Sequence, residues 1–327
     1  MSAGQAQAER EAIRPVFGRP YEVPDPTPAH GPDPYGNPNP RPEWLQVDWR
    51  EHLRTAEVEG TEVTYVDFGS TEPGELELLL VHGLSGSWQN WLETIPHFAP
   101  TRRVVALDLP GFGHSPMPAW EPTIENYGHF LHEFRHAVGI GDCCVVGNSM
   151  GGFVAAEGAI ARPDRFEKLV LVSAAGVSSV AVRRSPTQVT ARMLSATAPL
   201  TIKFQERTFR RPGIRSALFQ GVFHRPAELR PELLWEQFSN GAGRPGFLEA
   251  LTNLLGYDIL HRLEEVEVPT LVVWGRQDRI VPSSDAAEWA DRLRNSRTVI
   301  FDHTGHVPQL ERPVRFNRLL EEFLAPA

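Results

Sequence analysis

Residues 143–152 read Cys143-Cys144-Val145-Val146-Gly147-Asn148-Ser149-Met150-Gly151-Gly152. Four consecutive apolar residues run into a glycine-flanked serine. Beyond it a helical stretch carrying Phe153, Val154 and Ile160 stops at Pro163. The pattern is that of a buried strand, a sharp turn and a helix. Gly147 and Gly151 remove side chains where the turn closes on itself, so the turn presents Ser149 Oγ above the carboxyl edge of a sheet. In that context the G-x-S-x-G spacing marks a nucleophile elbow.

On either side of this stretch, short apolar runs recur at 76–81, 104–109, 169–173, 271–274 and 298–301, each apolar nearly throughout, as strands covered on both faces are. Between or after them, Ile124, Tyr127, Leu131, Phe134 and Val138, and again Phe316, Leu319, Leu320, Phe323 and Leu324, follow helical spacing. Alternating strands and amphipathic helices predict an α/β fold: a mostly parallel central sheet flanked by helices. Residues 63–68, preceded by Glu59-Gly60, read as part of an antiparallel hairpin at the sheet edge. The rhythm breaks once, after the sixth strand. There, residues 177–266 are rich in Arg and punctuated by Pro, which predicts an inserted helical cap rather than a bare loop. The remaining segments, 44–176 and 267–327, form the predicted core. Residues 1–43 hold ten of the 29 prolines and are read as an extended arm with Tyr21, Trp44 and Trp49 as anchors.

A serine needs a base to take its proton, and the base needs an acid to fix its tautomer. Asp278 follows the run 271–274, and His306 follows the run 298–301 inside Thr304-Gly305-His306-Val307-Pro308. Both therefore come to the same sheet edge as Ser149, where open parallel sheets place their sites. His303 and Asp302 stand near His306 as competing choices for base and acid, while His82, Asp108 and His114 read as loop-bracing residues.

These stretches together resemble the α/β-hydrolase superfamily over about residues 60–325. The resemblance rests on Val81-His82-Gly83-Leu84, Asp108-Leu109-Pro110-Gly111-Phe112-Gly113-His114-Ser115, the serine turn, Trp274-Gly275-Arg276-Gln277-Asp278 and Gly305-His306. It implies a Ser149-His306-Asp278 triad in the chain order of that family, with the backbone amides of Leu84 and Met150 as oxyanion hole and their side chains lining the pocket. The implied reaction is hydrolysis of a carboxylic ester through an acyl-enzyme, as in carboxylesterases and lipases. The elbow is also similar to that of meta-cleavage product hydrolases, which split C–C bonds. Those typically carry Gly-Pro-Gly after the His-Gly pair and Trp after the base, where this chain has Leu84-Ser85-Gly86-Ser87 and Val307. A ligand-binding member of the fold without turnover is the third reading, against which the complete triad speaks.

Composition bounds the partners. The formal net charge of −9 disfavours nucleic acid, and no apolar run approaches the ~18 residues a membrane helix needs. Two adjacent cysteines, Cys143 and Cys144, make neither a disulfide framework nor a zinc site. Without a signal-like start, a cytoplasmic enzyme is expected. No spaced metal-ligand cluster and no dinucleotide turn occur, so neither metal nor cofactor is expected. Residues 177–230 carry ten basic and two acidic residues, which makes this part of the cap strongly basic on an acidic remainder. Three readings stand open: solvated arginines, salt bridges to the body, or attraction of an anionic substrate or surface. Apolar residues interleaved with them, such as Phe209, Phe219 and Phe223, suggest a small-molecule ester with an apolar acyl group as substrate.

Overall fold

A computed structural model describes residues 33–70, 72, 75–176, 206–241 and 244–325. Its centre is an eight-stranded sheet in the order β1-β2-β4-β3-β5-β6-β7-β8. The strands are β1 (Leu53–Val58), β2 (Thr61–Phe68), β3 (Glu77–Val81), β4 (Val104–Leu107), β5 (Cys143–Asn148), β6 (Lys168–Val172), β7 (Thr270–Gly275) and β8 (Ser296–Phe301). β1 and β2 pair antiparallel, as do β2 and β4, and every other pair is parallel. The edge hairpin turns at Glu59 and Gly60, both at positive φ (49° and 77°), the combination a two-residue hairpin turn requires.

The apolar runs are explained by two covered faces. Along β3, Leu79 and Val81 enter one core cluster and Leu78 and Leu80 the other, and β5 divides Cys143 and Val145 from Cys144 and Val146 in the same way. The first face is covered by α1 (Ile124–Ala137) and α2 (Met150–Ala161), through Phe130, Phe134 and Val154. Phe316, Leu319 and Leu320 of the last helix, Pro313–Leu324, cover the second. Cys143 and Cys144 are free, buried thiols of this core.

Between β6 and β7 the chain leaves the sheet. Its described part comprises α3 (Pro212–Phe219), α4 (Pro231–Gly241) and α5 (Phe247–Gly256). Phe209, Phe219 and Phe223 are buried in the second cluster, with Trp235 and Phe238 packed on it. Not all of the arginines here are solvated. Arg215 is buried and donates to the carbonyls of Phe209 (2.6 Å), Ala227 (2.5 Å) and Pro226 (3.3 Å). Arg225 pairs with Glu228 at 3.0 Å and Arg230 donates to Asn39 O, whereas Arg207, Arg210 and Arg211 are exposed. The other basic residues of the segment, Arg183, Arg184, Arg192 and Lys203, lie outside the described residues.

Trp44 and Trp49 are buried, while Tyr21 lies outside the described residues. Trp44 Nε1 donates to the buried Glu93 at 2.8 Å, Trp49 Nε1 donates to Trp44 O at 2.9 Å, and the Trp49 ring lies 5.0 Å from that of Trp88. Among the described residues no helix is long and apolar enough to cross a membrane.

Candidate active site

Ser149 sits between the end of β5 and the start of α2 with φ 55° and ψ −118°, a left-handed conformation that non-glycine residues rarely adopt. Its neighbours hold it there. Ser149 N–H donates to Val172 O at 2.9 Å, Ser149 O accepts from Ala175 N–H at 3.0 Å, and Asn148 Nδ2 donates to Val172 O at 3.0 Å. The flanking glycines answer to close approach. A Cβ on Gly147 would stand 2.2 Å from Gly151 O, and one on Gly151 would stand 2.4 Å from both Val81 O and His82 O. A Cβ on Gly83 would lie 3.0 Å from Ser149 Cβ, which puts the His82-Gly83-Leu84 loop directly beside the serine. Met150 opens α2, where helix geometry provides its N–H with no intrahelical acceptor. Its side chain is fully buried in the first core cluster, whereas that of Leu84 is half-buried against the same cluster.

Asp278 lies past β7 and His306 past β8. Asp278 Oδ1 accepts the N–H groups of Ile280 (2.8 Å) and Val281 (3.0 Å), which aims Oδ2 at His306 Nδ1, 2.7 Å away. Both side chains are enclosed. An acceptor at Nδ1 fixes the proton on that nitrogen and leaves Nε2 as the basic one. The His306 peptide is held as well: its N–H donates to Val222 O at 2.8 Å, and its carbonyl accepts from Asn148 Nδ2 at 3.3 Å. Through Asn148 the serine turn and the histidine loop share one hydrogen-bonded frame. No hydrogen bond joins Ser149 Oγ to the imidazole itself, a contact that in such sites commonly tightens only with substrate bound.

The geometry has a counterpart in known proteins. A family model described as the alpha/beta hydrolase fold matches residues 78–313, from β3 through the histidine loop. The chain belongs to the α/β-hydrolase family. Over 280 residues this α/β hydrolase is 30% identical to the 2-hydroxy-6-oxononadienedioate/2-hydroxy-6-oxononatrienedioate hydrolase of Burkholderia vietnamiensis, covering 81% of this chain and 92% of that one. It is 32% identical over 270 residues to the 2-hydroxymuconate semialdehyde hydrolase of a Pseudomonas strain, covering 76% and 87%. Among solved structures it resembles a thermophilic esterase from Thermogutta terrifontis at 25% identity and a TM-score of 0.66, covering 83% of this chain and 97% of that one.

The competing residues of this α/β hydrolase are placed elsewhere. His303 is exposed, with its ring 6.0 Å from that of His224, and the exposed Asp302 pairs with Arg276, which holds its carboxyl below the usual range. His82 is fully buried. Its Nδ1–H donates to Gly83 O at 2.7 Å and its Nε2 accepts from Leu109 N–H at 2.9 Å, and burial pulls its pKa down to about 4. Asp108 accepts from Trp88 N–H (2.7 Å) and His114 N–H (2.8 Å), and burial pushes its carboxyl up to about 7. Both brace the loops around Ser149. Two polar residues escaped the sequence reading. Asn148 is marked only by its place beside the serine. Glu311 is a buried acid five residues past His306, between Pro308 and Pro313. Among the described residues no group of three His, Cys, Asp or Glu side chains is disposed to hold a metal.

Proposed function

We propose that this α/β hydrolase cleaves a carboxylic ester with Ser149 as nucleophile, His306 as base and Asp278 as its orienting acid. The observation that carries this reading is the enclosed 2.7 Å contact between Asp278 and His306, at the edge where the strained turn holds Ser149. His306 Nε2 takes the Ser149 proton as Oγ attacks the carbonyl carbon. The oxyanion receives the N–H groups of Leu84 and Met150, the latter at the positive end of α2. Collapse of the tetrahedral intermediate expels the alcohol, protonated from His306, and leaves an acyl-serine. Water, deprotonated by His306, then attacks it and frees the acid.

Residues 177–266 act as the cap. Support comes from two contacts: Val222 O takes the His306 N–H, and a Cβ on Gly241 would fall 1.9 Å from Ser85 O beside Leu84. Arg215 and Arg230 are taken up by protein carbonyls, which favours an apolar acyl group over an anionic one. The exposed Arg207, Arg210 and Arg211 remain suited to weak contact with an anionic surface.

The relatives named as hydrolases of 2-hydroxy-6-oxononadienedioate and of 2-hydroxymuconate semialdehyde favour a second reading, C–C hydrolysis of a vinylogous diketone by the same residues. Turnover of p-nitrophenyl acetate, butyrate and octanoate, set beside that of a 2-hydroxy-6-oxo-dienoate, separates the two. Ester hydrolysis requires the esters to be turned over far faster, and the reverse order establishes the C–C reading. In either case Ser149→Ala lowers kcat by about 10⁴-fold or more and abolishes fluorophosphonate labelling, and a variant that keeps its turnover removes Ser149 from the mechanism.

A further inference from the structure

One carboxylate joins three separate segments around His306. Glu311 is fully buried. Its Oε1 accepts the N–H of Gly305 at 2.9 Å and that of Val307 at 3.3 Å, the two residues flanking His306. Its Oε2 accepts the Tyr35 hydroxyl at 2.6 Å and the His224 N–H at 2.7 Å. Tyr35 comes from the Pro-rich arm and His224 from the excursion between β6 and β7. The Tyr35 oxygen in turn accepts the Arg225 N–H at 2.8 Å, and its ring lies 4.5 Å from the Arg225 guanidinium and 5.2 Å from that of Arg312. Further bonds tie the arm to the same turn: Gly36 N–H to Glu311 O at 2.7 Å, Arg312 to Asp33 O at 2.7 Å and Arg315 to the Asp33 carboxylate at 3.2 Å.

The chemistry of that arrangement is specific. Four donors aimed at two oxygens fill the acceptor sites of a carboxylate, and only the anion takes all four. Burial works against the charge and pushes the carboxyl up to about 7, so each donor counts. Three of the donors are backbone amides; the Tyr35 hydroxyl is the one side-chain donor. Gly305 has no room for a side chain, since a Cβ would lie 2.6 Å from Val222 O and 2.9 Å from Glu311 Oε1. The approach of Glu311 to the histidine loop is thus built into the sequence.

We infer that Glu311 is a positioning residue for His306 and that Tyr35, from the N-terminal arm, completes the clamp, so that the arm belongs to the catalytic architecture. The inference rests on the reading of His306 as the base. With the two flanking amides fixed, the imidazole keeps the orientation in which Nδ1 meets Asp278 and Nε2 is left free to take the serine proton. Without the Tyr35 hydroxyl the carboxylate loses a charge-assisted bond and the loop gains freedom.

The test uses the full chain with Tyr35→Phe, Glu311→Gln and the double variant, each titrated for active sites. It reads kcat, KM and the rate of Ser149 phosphonylation by a fluorophosphonate, which needs the base but no matched acyl group. Tyr35→Phe is expected to lower kcat and the phosphonylation rate together by about tenfold, with KM within about twofold. Glu311→Gln lowers both further, and adding Tyr35→Phe to it costs little more, because the two share one network. If Tyr35→Phe keeps both rates within about 1.5-fold of the parent while only its melting temperature falls, the clamp is merely structural and the inference is overturned, and this holds even if Glu311→Gln does not fold. Ser149→Ala separates the two levels: its loss of labelling supports the serine reading whatever Tyr35 does, and its continued turnover overturns the reading and the inference with it.

Discussion

Asp278 Oδ2 lies 2.7 Å from His306 Nδ1, and the other oxygen of the same carboxylate is occupied by the N–H groups of Ile280 and Val281. The carboxylate cannot rotate without giving up those two bonds, so the imidazole tautomer is set by backbone two elements away from the serine. Asp278→Asn keeps the shape and an acceptor for the two amides, but places an NH₂ against Nδ1 and favours the wrong tautomer. A fall in kcat of about 10⁴-fold is expected, with an unchanged circular dichroism spectrum. Activity within tenfold of the parent would show that another group orients the base.

The serine turn and β3 approach so closely that a single methyl group should be felt. In Gly151→Ala the new Cβ meets two carbonyl oxygens at 2.4 Å, both backbone and neither able to swing aside. A loss of about 1–3 kcal/mol or more is expected in urea unfolding, together with reduced activity from a displaced Leu84 loop. A neutral effect would mean that the turn relaxes in solution.

His82 gives a pH dependence of known sign. Its folded-state pKa is drawn down to about 4 by burial from an ordinary value of 6.5, so between those values the unfolded chain binds more protons. Stability from this residue is therefore fully present above pH 6.5 and is lost as pH falls toward 4, by about 3 kcal/mol at most. The buried carboxyls Glu93, Asp108 and Glu311, each pushed up to about 7, act with the opposite sign, losing stability as pH rises through that range. The clean measurement is the difference between parent and His82→Gln, which leaves those acids in place. The parent's advantage should shrink as pH drops from 6.5, and a flat difference would rule out a buried neutral imidazole.

The arm should matter for stability through Trp44. Trp44→Ala removes a fully buried indole and the 2.8 Å bond to the enclosed Glu93, so a loss of about 3–5 kcal/mol is expected from urea midpoints at constant m. Trp44→Phe should fall between, since it keeps the ring but leaves a Glu93 oxygen short of a donor. A cost below about 1 kcal/mol for Trp44→Ala would make this segment a surface attachment instead of part of the core.

Much of this was legible in the chain because it is local. The strand through residues 143–148 and the glycines beside Ser149 announce themselves, since a buried strand and a tight turn each leave a short-range mark on composition. Asp278 and His306 were readable through their places after apolar runs, with the family resemblance choosing His306 over His303; in the structure His306 Nδ1 lies 2.7 Å from Asp278 Oδ2, and His303 is exposed. Burial of individual arginines was not readable. Nothing in the sequence distinguishes Arg215, enclosed among three carbonyls, from Arg210 or Arg211 on the surface.

The chain's short-range patterns therefore specify the alternation of strand and helix and the family, and they single out the three residues proposed for a serine mechanism, because periodicity and turn chemistry act over a few positions. Tertiary structure alone decided that residues 33–36 of a proline-rich arm would meet the loop of His306, some 270 residues on, through Glu311. A proline-rich stretch has no periodicity to say which surface it will cover. Glu311 shows its role only when three amides and a tyrosine hydroxyl, from the histidine loop, the excursion between β6 and β7 and the arm, converge on one buried charge, because a carboxylate taken out of water must find its donors wherever the fold brings them.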